Sequence, residues 1–306
     1  MAPTEPANET SPSHPEPTRP APPSFPPFHI VPGVPNFRDT GGWPIKNPDG
    51  RVRKGVLFRG SDTNRITPEG IAKLHGLGIK TDFDLRSKQQ IERTGGYKEI
   101  DGIERKWTPV FAEEQYTEEA ARQRYELYAS ETPDGIVSAF IEILTEGATM
   151  FRTVLRHLLA TVPPVSSLDP VPALFMHCTT GNNRTGVFIS MLLLLLGVPE
   201  EVVVEEYTLS EQGLAPTRHI NVDRLLKKGA FEEYGEEARR KCERMIGARP
   251  ESMRQLVVEV DRKWGGAEGY FKKVVGLSDE EVAKLRSLLV EKGDYNAHSQ
   301  EGTSAA

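Results

Sequence analysis

The 306-residue sequence predicts an α/β protein whose central, mostly parallel sheet is flanked by helices. Three observations support this fold class. Strand patterns alternate with helical patterns over the first two thirds of the chain, the last third carries only helical patterns, and residues 172–177 (PALFMH) form a short, almost continuously apolar segment. Such a segment is typical of a strand that is buried on both faces, as parallel strands are.

The two ends of the chain differ in composition from the middle. Ten of the 24 prolines lie within residues 1–28, among Ser, Thr, Glu and Ala. Such a segment buries too little apolar surface to offset the entropy of ordering, so we predict a disordered tail, with a role as a ligand for a proline-recognition domain as the alternative. Residues 293–306 are small and polar and are predicted to be a second tail, which leaves one domain over 29–292.

Charge and cysteine count exclude several classes of protein. Lys plus Arg is 38 and Asp plus Glu is 44, a net charge of −6, which argues against a nucleic-acid binder that works by neutralising phosphates. The only cysteines, Cys178 and Cys242, rule out a disulfide framework and a zinc site built mainly from thiolates. The most apolar run, 187–198, is shorter than the roughly 20 residues that cross a bilayer, so we expect a cytoplasmic protein without a membrane anchor.

The individual elements follow from local patterns. Strands are predicted near 56–59, over 79–85, near 103–108 and over 172–177, with a turn at Asp49-Gly50 before the first. Thr67-Pro68-Glu69 is a helix start, because Thr caps a helix N-terminus, Pro suits the first position and Glu favours the first turn. The predicted helices are, in chain order, 67–77, 113–129, 133–147, 150–159, 187–198, one that begins at Pro199, 250–264 and 278–291.

The segment between the buried strand and the apolar helix, 177–186 (HCTTGNNRTG), has the composition of a phosphate site. A helix N-terminus that follows a strand presents free N–H groups, and Gly181 permits a positive φ that turns consecutive amides inward. Arg184 adds a fork of donors that matches phosphate oxygens. These surroundings lower a thiol pKa, so Cys178 is predicted to be a thiolate nucleophile with a hydrogen bond from Thr185. The alternative is a small, buried and inert cysteine, which is also the interpretation preferred for Cys242.

This loop resembles the HC-x5-R-[ST] signature of the cysteine-based protein phosphatases. Further segments are similar, in the same order, to the tyrosine/serine phosphatase family of bacterial, lipid-active and dual-specificity members: 36–42 (NFRDTGG), 52–59 (VRKGVLFR), 84–87 (DLRS) and 264–270 (WGGAEGY). The resemblance covers roughly residues 30 to 292. It implies a protein-tyrosine-phosphatase-like fold, with a helical C-terminal third and a helical lid inserted at 113–147.

The resemblance also implies a role for each residue of the site. Cys178 is the nucleophile, Arg184 binds the phosphoryl group, and His177 orients the loop by hydrogen bonding. The residues implied to bind substrate are Thr179, Thr180, Gly181, Asn182 and Thr185. Three more, Arg38, Asp39 and Arg86, are expected to support the loop as buried ion pairs, with direct substrate contact as the alternative. No metal or cofactor is implied.

Two loop positions depart from the family pattern, because many relatives have Lys-Asp where this chain has Asn182-Asn183. That Lys is associated with phosphoinositide recognition, and that Asp is proposed as the general acid. Asn183 carries no titrating proton, so it can only help to position the hydrolytic water. The acid is then expected at Glu113, with Glu114 and Asp134 as further candidates; each is equally consistent with a solvent-facing carboxylate.

Together these features predict a phosphomonoester hydrolase that works through a phosphocysteine and acts on protein phosphotyrosine, since an aryl phosphate needs the acid least. Two alternatives remain open. One is a phosphatase of phosphoinositides, inositol phosphates or other small phosphate esters, and the other is a non-catalytic phosphate-binding protein. The expected partner is a phosphorylated protein or a small phosphate ester, and nucleic acid is not expected; the oligomeric state is open.

Overall fold

The computed structural model describes residues 27–46 and 49–293. A five-stranded sheet has the order β1 (Arg38–Asp39), β4 (Leu57–Gly60), β7 (Ala173–His177), β5 (Ile79–Asp84) and β6 (Glu104–Trp107). Strands β4, β7, β5 and β6 are parallel, and β1 is antiparallel at the edge. A three-stranded antiparallel sheet joins β2 (Pro44–Lys46), β3 (Asp49–Val52) and β8 (Val290–Lys292).

The predicted α/β class is therefore confirmed, and β7 is its central strand. All five residues of β7 are buried, which agrees with the apolar run in the sequence. The last residue of β7, His177, is in register with Gly60 on β4 and with Asp84 on β5. The carboxyl ends of three parallel strands thus meet at one edge of the sheet, directly before the cysteine loop.

Helices cover both faces of the sheet and form the C-terminal third. In the described residues they are α1 (Pro68–Gly76), α2 (Lys88–Arg93), α3 (Glu118–Tyr128), α4 (Pro133–Glu146), α5 (Ala148–Thr161), α6 (Asn183–Leu196), α7 (Glu200–Leu214), α8 (Arg218–Lys227), α9 (Ala238–Ile246), α10 (Pro250–Trp264), α11 (Gly266–Tyr270) and α12 (Asp279–Leu289). The Thr67 hydroxyl caps α1 as predicted, accepting a hydrogen bond from the Gly70 amide at 3.2 Å. None of these helices is long and apolar enough to cross a bilayer.

The stretch predicted to be a lid divides into two parts with different environments. On α4, Ile136, Phe140 and Ile143 are fully buried, and the helix packs against α6 and α10. Helix α3 has an exposed first turn, and only Arg124 and Tyr128 of its residues are buried. The second half of the stretch therefore belongs to the core.

Two boundaries differ from the sequence predictions. Asp49 and Gly50 are not a turn but the start of β3, because they pair with Lys46 and Ile45 on β2, and Gly50 also pairs with β8. Phe28, which was assigned to the tail, is buried and forms a β-bridge with Arg38, so the fold begins before residue 29. Of the two predicted tails, residues 1–26 and 294–306 lie outside the described residues.

Candidate active site

The cysteine loop, residues 178–182, connects β7 to α6 and passes close to β4. Gly181 has φ of +67°, and a Cβ at this position would lie 1.9 Å from the carbonyl oxygen of Gly60. Both the left-handed backbone and the close approach require glycine. The loop and strand β4 are consequently in direct backbone contact.

All carbonyl groups of the cysteine loop are hydrogen-bonded on its outer side. The Cys178 carbonyl is 2.9 Å from Nδ1 of His177. The carbonyl of residue 179 accepts a hydrogen bond from the amide of Asp62 at 3.2 Å, and that of residue 180 accepts one from Nδ2 of Asn36 at 3.1 Å. The last two, at 181 and 182, accept from Arg59 at 2.6 and 3.3 Å. These contacts fix the peptide planes, because a peptide whose carbonyl points outward must direct its N–H inward.

The N–H groups on the inner side of the loop have no backbone acceptor in the described chain, and that of Gly181 hydrogen-bonds to the Cys178 sulfur. Over the described ranges 27–46 and 49–293, the amides of residues 179–182 donate to no carbonyl oxygen. Helix α6 begins at Asn183, and no side chain caps its N-terminus. Converging amides at the positive end of a helix dipole form a site for a phosphate-sized anion.

The thiol of Cys178 lies at the centre of this site and is only 2% exposed. Burial alone would raise its pKa, but the charge of Arg184, the hydroxyl of Thr185 and the amides of Thr185 and Gly181 lower the pKa to about 7. A large fraction of the thiol is therefore ionised at neutral pH, as a nucleophile requires. The pKa of Cys242 shifts in the other direction, because burial raises it.

Arg184 is held at the mouth of the loop by the segment that follows β5. Its guanidinium donates to Oε1 of Gln90 at 2.5 Å and to the carbonyl of Leu85 at 3.3 Å. The phenol groups of Tyr116, Tyr125 and Tyr128 lie close enough to interact electrostatically with its charge. Helix α3 and the turn before it thus form an aromatic wall beside the arginine.

A model of the tyrosine phosphatase family matches residues 29–291, nearly the whole of the described chain.

The chain belongs to the tyrosine phosphatase family.

Two similar proteins are the triple specificity protein phosphatase PtpB of Mycobacterium tuberculosis and a tyrosine-protein phosphatase of Nostoc commune. The first is 25% identical over 282 residues, which are 85% of this chain and 98% of the relative. The second is 24% identical over 239 residues, which are 78% of this chain and 75% of the relative. The protein is accordingly a cysteine-dependent phosphatase acting on a phosphorylated substrate, and not a non-catalytic phosphate-binding protein.

A buried ion triad supports the loop of the phosphatase from below. Glu206 on α7 binds Arg38 at 2.8 Å and Arg59 at 2.6 Å, and all three side chains are fully buried. Arg59 also donates a hydrogen bond to the Gly181 carbonyl, so the triad connects the sheet edge to the loop. Arg38 forms the expected buried ion pair and acts two contacts away from the loop. Glu206 and Arg59 were not among the predicted site residues.

The other predicted supporting residues have different partners. The Asp39 carboxylate accepts from the amides of Gly41 and Gly55, both at 2.8 Å, so it orders two turns and forms no ion pair in the described chain. Arg86 forms a bidentate pair with Asp84, at 2.9 and 2.8 Å. Within residues 27–46 and 49–293, no hydrogen bond or ion pair joins Asp39 or Arg86 to the cysteine loop.

His177 is buried between two aspartates of β5. Its Nε2 is 3.2 Å from Asp82 and its Nδ1 is 3.9 Å from Asp84. Burial opposes protonation, but the two carboxylates outweigh it and raise the pKa of His177 to about 9. A protonated ring donates to the Cys178 carbonyl from Nδ1, which is the orienting contact that the resemblance implied.

The two asparagines that replace Lys-Asp are directed at the C-terminal end of α9. Nδ2 of Asn182 donates to the carbonyls of Ile246 and Gly247, at 3.2 and 2.9 Å, so this side chain faces away from the anion site. Nδ2 of Asn183 lies 3.4 Å from the Met245 carbonyl, while its buried Oδ1 has no protein partner among the described residues. Oδ1 of Asn182, like that of Asn183, is buried and has no protein partner among the described residues.

Glu113 lies on a short 3-10 turn, Glu113–Gln115, between two anchored aromatic residues. Phe111 and Tyr116 are buried and in edge-to-face contact, and Gln89 on α2 donates to the Tyr116 carbonyl at 2.7 Å. Glu113 itself is exposed, and within the described ranges no hydrogen bond or ion pair joins it to the cysteine loop. Its role as the acid stays a prediction, as does that of the equally exposed Glu114.

Proposed function

We propose that this phosphatase hydrolyses phosphotyrosine in proteins through a phosphocysteine intermediate. The observation that carries the proposal is the buried Cys178 thiol, which has a pKa of about 7 beside the loop amides and Arg184. A thiolate in that position is in line with the phosphorus of a bound phosphoryl group.

In the first step, the Cys178 sulfur forms a bond to phosphorus while the bond from phosphorus to the phenolic oxygen breaks. Arg184 and the inward amides bind the three non-bridging oxygens, where charge develops in the transition state. The departing oxygen takes a proton from a general acid, for which Glu113 is the candidate. Its position on an anchored turn beside Tyr116, in the wall next to Arg184, supports this role.

In the second step, a water oxygen bonds to phosphorus and the sulfur–phosphorus bond breaks, which releases inorganic phosphate and restores the thiolate. The proton of that water passes to the carboxylate left by the first step. The unsatisfied Oδ1 of Asn183, in the first turn of α6, supports a role in orienting the water, because a buried acceptor without a partner is costly.

Two features favour an aryl phosphate over a phosphoinositide. The side chains of residues 182 and 183 supply no cation at the loop, and that of Asn182 is directed away from it. The aromatic wall of Tyr116, Tyr125 and Tyr128 suits a phenyl ring beside the arginine. The name of the Mycobacterium tuberculosis relative, a triple specificity phosphatase, keeps other phosphate esters as the second candidate.

Turnover of matched substrates tests the substrate class. We expect kcat/KM to be highest for a phosphotyrosine peptide, lower for the same peptide with phosphoserine, and lowest for phosphatidylinositol phosphate in vesicles. Faster turnover of the vesicles would refute the assignment. Cys178→Ser should abolish activity, and rapid quenching of the wild type should show a phosphate adduct on Cys178 by mass spectrometry; an active serine variant would refute the mechanism.

A second experiment tests the acid. Glu113→Gln should remove the basic limb of the kcat profile against pH, since that limb reports loss of the acid's proton. The effect should be larger for phenyl phosphate than for p-nitrophenyl phosphate, whose leaving group needs no proton. Glu118→Gln, which removes an exposed carboxylate from the first turn of α3, is the matched control. If the limb persists in Glu113→Gln, the acid lies elsewhere.

A further inference from the structure

The hydroxyl of Tyr116 is a buried polar group that the mechanism above does not use. The residue is 8% exposed, and within residues 27–46 and 49–293 its hydroxyl completes no hydrogen bond. A buried O–H group that loses water without gaining a partner costs free energy, so such groups normally have an acceptor. An acceptor that binds from outside the chain would satisfy this one.

The hydroxyl lies beside the catalytic arginine. The Arg184 guanidinium and the amide of Phe111 are close to the phenol oxygen and favour a negative charge on it. Burial outweighs both and raises the pKa of Tyr116, so the phenol keeps its proton at neutral pH. Guanidinium and amide N–H groups only donate, so neither neighbour can accept that proton. Tyr116 therefore presents an unused hydrogen-bond donor next to Arg184.

Arg184 also has donors that the protein leaves unused. Among the described residues only its Nη1 has acceptors, the Leu85 carbonyl at 3.3 Å and Oε1 of Gln90 at 2.5 Å. Nε and Nη2 remain for a phosphoryl group, whose oxygens a guanidinium binds through two parallel N–H groups. A phosphoryl oxygen at this guanidinium comes next to the Tyr116 hydroxyl, because the phenol is a close neighbour of the same arginine.

The backbone and ring of Tyr116 are fixed by contacts that do not involve the hydroxyl. Its carbonyl accepts from Nε2 of Gln89 at 2.7 Å, and its amide donates to the Glu113 carbonyl at 3.0 Å. The ring centroid is 5.6 Å from that of Phe111 in an edge-to-face contact, and 5.7 Å from the Arg124 guanidinium. The hydroxyl is thus a preorganised donor, as the stabilisation of a developing charge requires.

We propose that Tyr116 is a further catalytic residue, whose hydroxyl donates a hydrogen bond to a non-bridging oxygen of the phosphoryl group that Arg184 binds. The proton stays on the phenol oxygen throughout, so this role is distinct from that of the general acid. The inference rests on one part of the proposed function, namely that the cysteine loop holds the phosphoryl group. It does not depend on whether the ester is phosphotyrosine.

Protection of Cys178 from iodoacetamide by inorganic phosphate tests the contact without turnover. Tyr116→Phe keeps the ring and removes only the hydroxyl. The phosphate concentration that gives half-protection should rise by about 10- to 100-fold, the range for one hydrogen bond to a charged group, and kcat/KM for p-nitrophenyl phosphate should fall by a similar factor. The urea midpoint should not fall, because a hydroxyl without a partner does not stabilise the fold.

Tyr207→Phe is the matched control. Its hydroxyl is also buried without a partner in the described chain, but Arg59 and Glu211 are among its charged neighbours. Half-protection and kcat/KM should stay at the wild-type values in this variant. An equal loss in Tyr207→Phe and Tyr116→Phe would overturn the inference, because the effect would then not be specific to the hydroxyl beside Arg184.

Four other outcomes decide the matter. Equal half-protection in Tyr116→Phe and the wild type would overturn the contact, and a lower urea midpoint would assign the hydroxyl to the fold instead. Lost protection with an upward shift in the pH midpoint of Cys178 alkylation would mean that Arg184 has moved, since its charge lowers the thiol pKa, and would reduce Tyr116 to a positioning residue. A larger fall in kcat/KM for phenyl phosphate than for p-nitrophenyl phosphate would place the hydroxyl at the leaving oxygen and contradict the proposed contact. If phosphate does not protect Cys178 in the wild type, the proposed function fails and the inference with it.

Discussion

Replacing Glu206 with Gln should both destabilise the protein and impair its loop. The carboxylate is the shared counterion of Arg38 and Arg59, and none of the three side chains is exposed. Glutamine preserves shape and one carbonyl oxygen but removes the negative charge, so two buried guanidinium groups remain without compensation. Removing one partner of a buried ion pair typically costs about 3–5 kcal/mol. We expect about 3 kcal/mol here, because the glutamine amide still accepts one hydrogen bond.

That loss corresponds to a fall in melting temperature of about 6–12 °C for a domain of this size. Because Arg59 also binds the carbonyls of 181 and 182, a displaced guanidinium should reorient their peptides. We expect kcat/KM on p-nitrophenyl phosphate to fall by about 10- to 100-fold, which is typical of a misplaced catalytic group. Urea denaturation measures the free energy of unfolding, and steady-state kinetics on the folded fraction measures the change in kcat/KM that a displaced loop causes.

Glu205→Gln is the matched control, because it removes the same charge from the next residue of α7, where the side chain is exposed. It should change stability by no more than about 0.5 kcal/mol. If Glu206→Gln unfolds within about 1 kcal/mol of the wild type and retains its activity, the ion triad does not hold the loop. A stability loss with unchanged kcat/KM would separate the core role of Glu206 from any role in catalysis.

Three further outcomes follow from the loop geometry. Gly181→Ala should abolish turnover of p-nitrophenyl phosphate, because the new Cβ would lie 1.9 Å from the Gly60 carbonyl oxygen. The control Gly95→Ala should retain turnover, because Gly95 also has a positive φ but a Cβ there has no neighbour within 4 Å. Equal activities of the two variants would contradict the close contact at Gly181. Thr185→Val should move the pH midpoint of Cys178 alkylation by iodoacetamide upward from about 7, and an unmoved midpoint would exclude the hydrogen bond. Protonated His177 stabilises the fold below about pH 6.5, its usual pKa, and this contribution is lost as pH rises through about 9. The urea midpoint should therefore fall over that window in the wild type, and a similar fall in His177→Gln would assign the effect to another group.

The parts of the fold that could be predicted are those with a local cause. The cap at Thr67, the first-turn proline of α10 and the apolar run that becomes β7 each act over a few residues, and the structure has all three. Strand β8 could not be predicted in this way. It is three residues long, partly exposed and stabilised by pairing with β3, some 240 residues earlier, so no local pattern marks it.

The residues of the site differ in the same way, because some have a local sequence signal and others do not. The loop from His177 to Thr185 was predictable because strand, glycine, arginine and helix start are contiguous. Glu206 was not, because Glu205 and Glu206 are adjacent in the same apolar context and only the tertiary fold turns the second one inward. Asn182 shows the reverse: its position within the loop suggested substrate contact, but free carbonyls at the end of α9 attract its side chain.

The contacts on the outside of the cysteine loop also determine when, during folding, the Cys178 thiol becomes a reactive nucleophile. The loop carbonyls are held by Asn36, Arg59 and Asp62, more than 110 residues earlier in the chain, and the counterion Glu206 follows them by more than 140. Contacts between such distant segments form late, because long loops must close first. Until then Cys178 has the ordinary thiol pKa of about 8.5 and is a weak nucleophile. A newly made or partly folded chain is thus shielded from oxidation and alkylation at its most reactive atom, and reactivity marks completion of the fold.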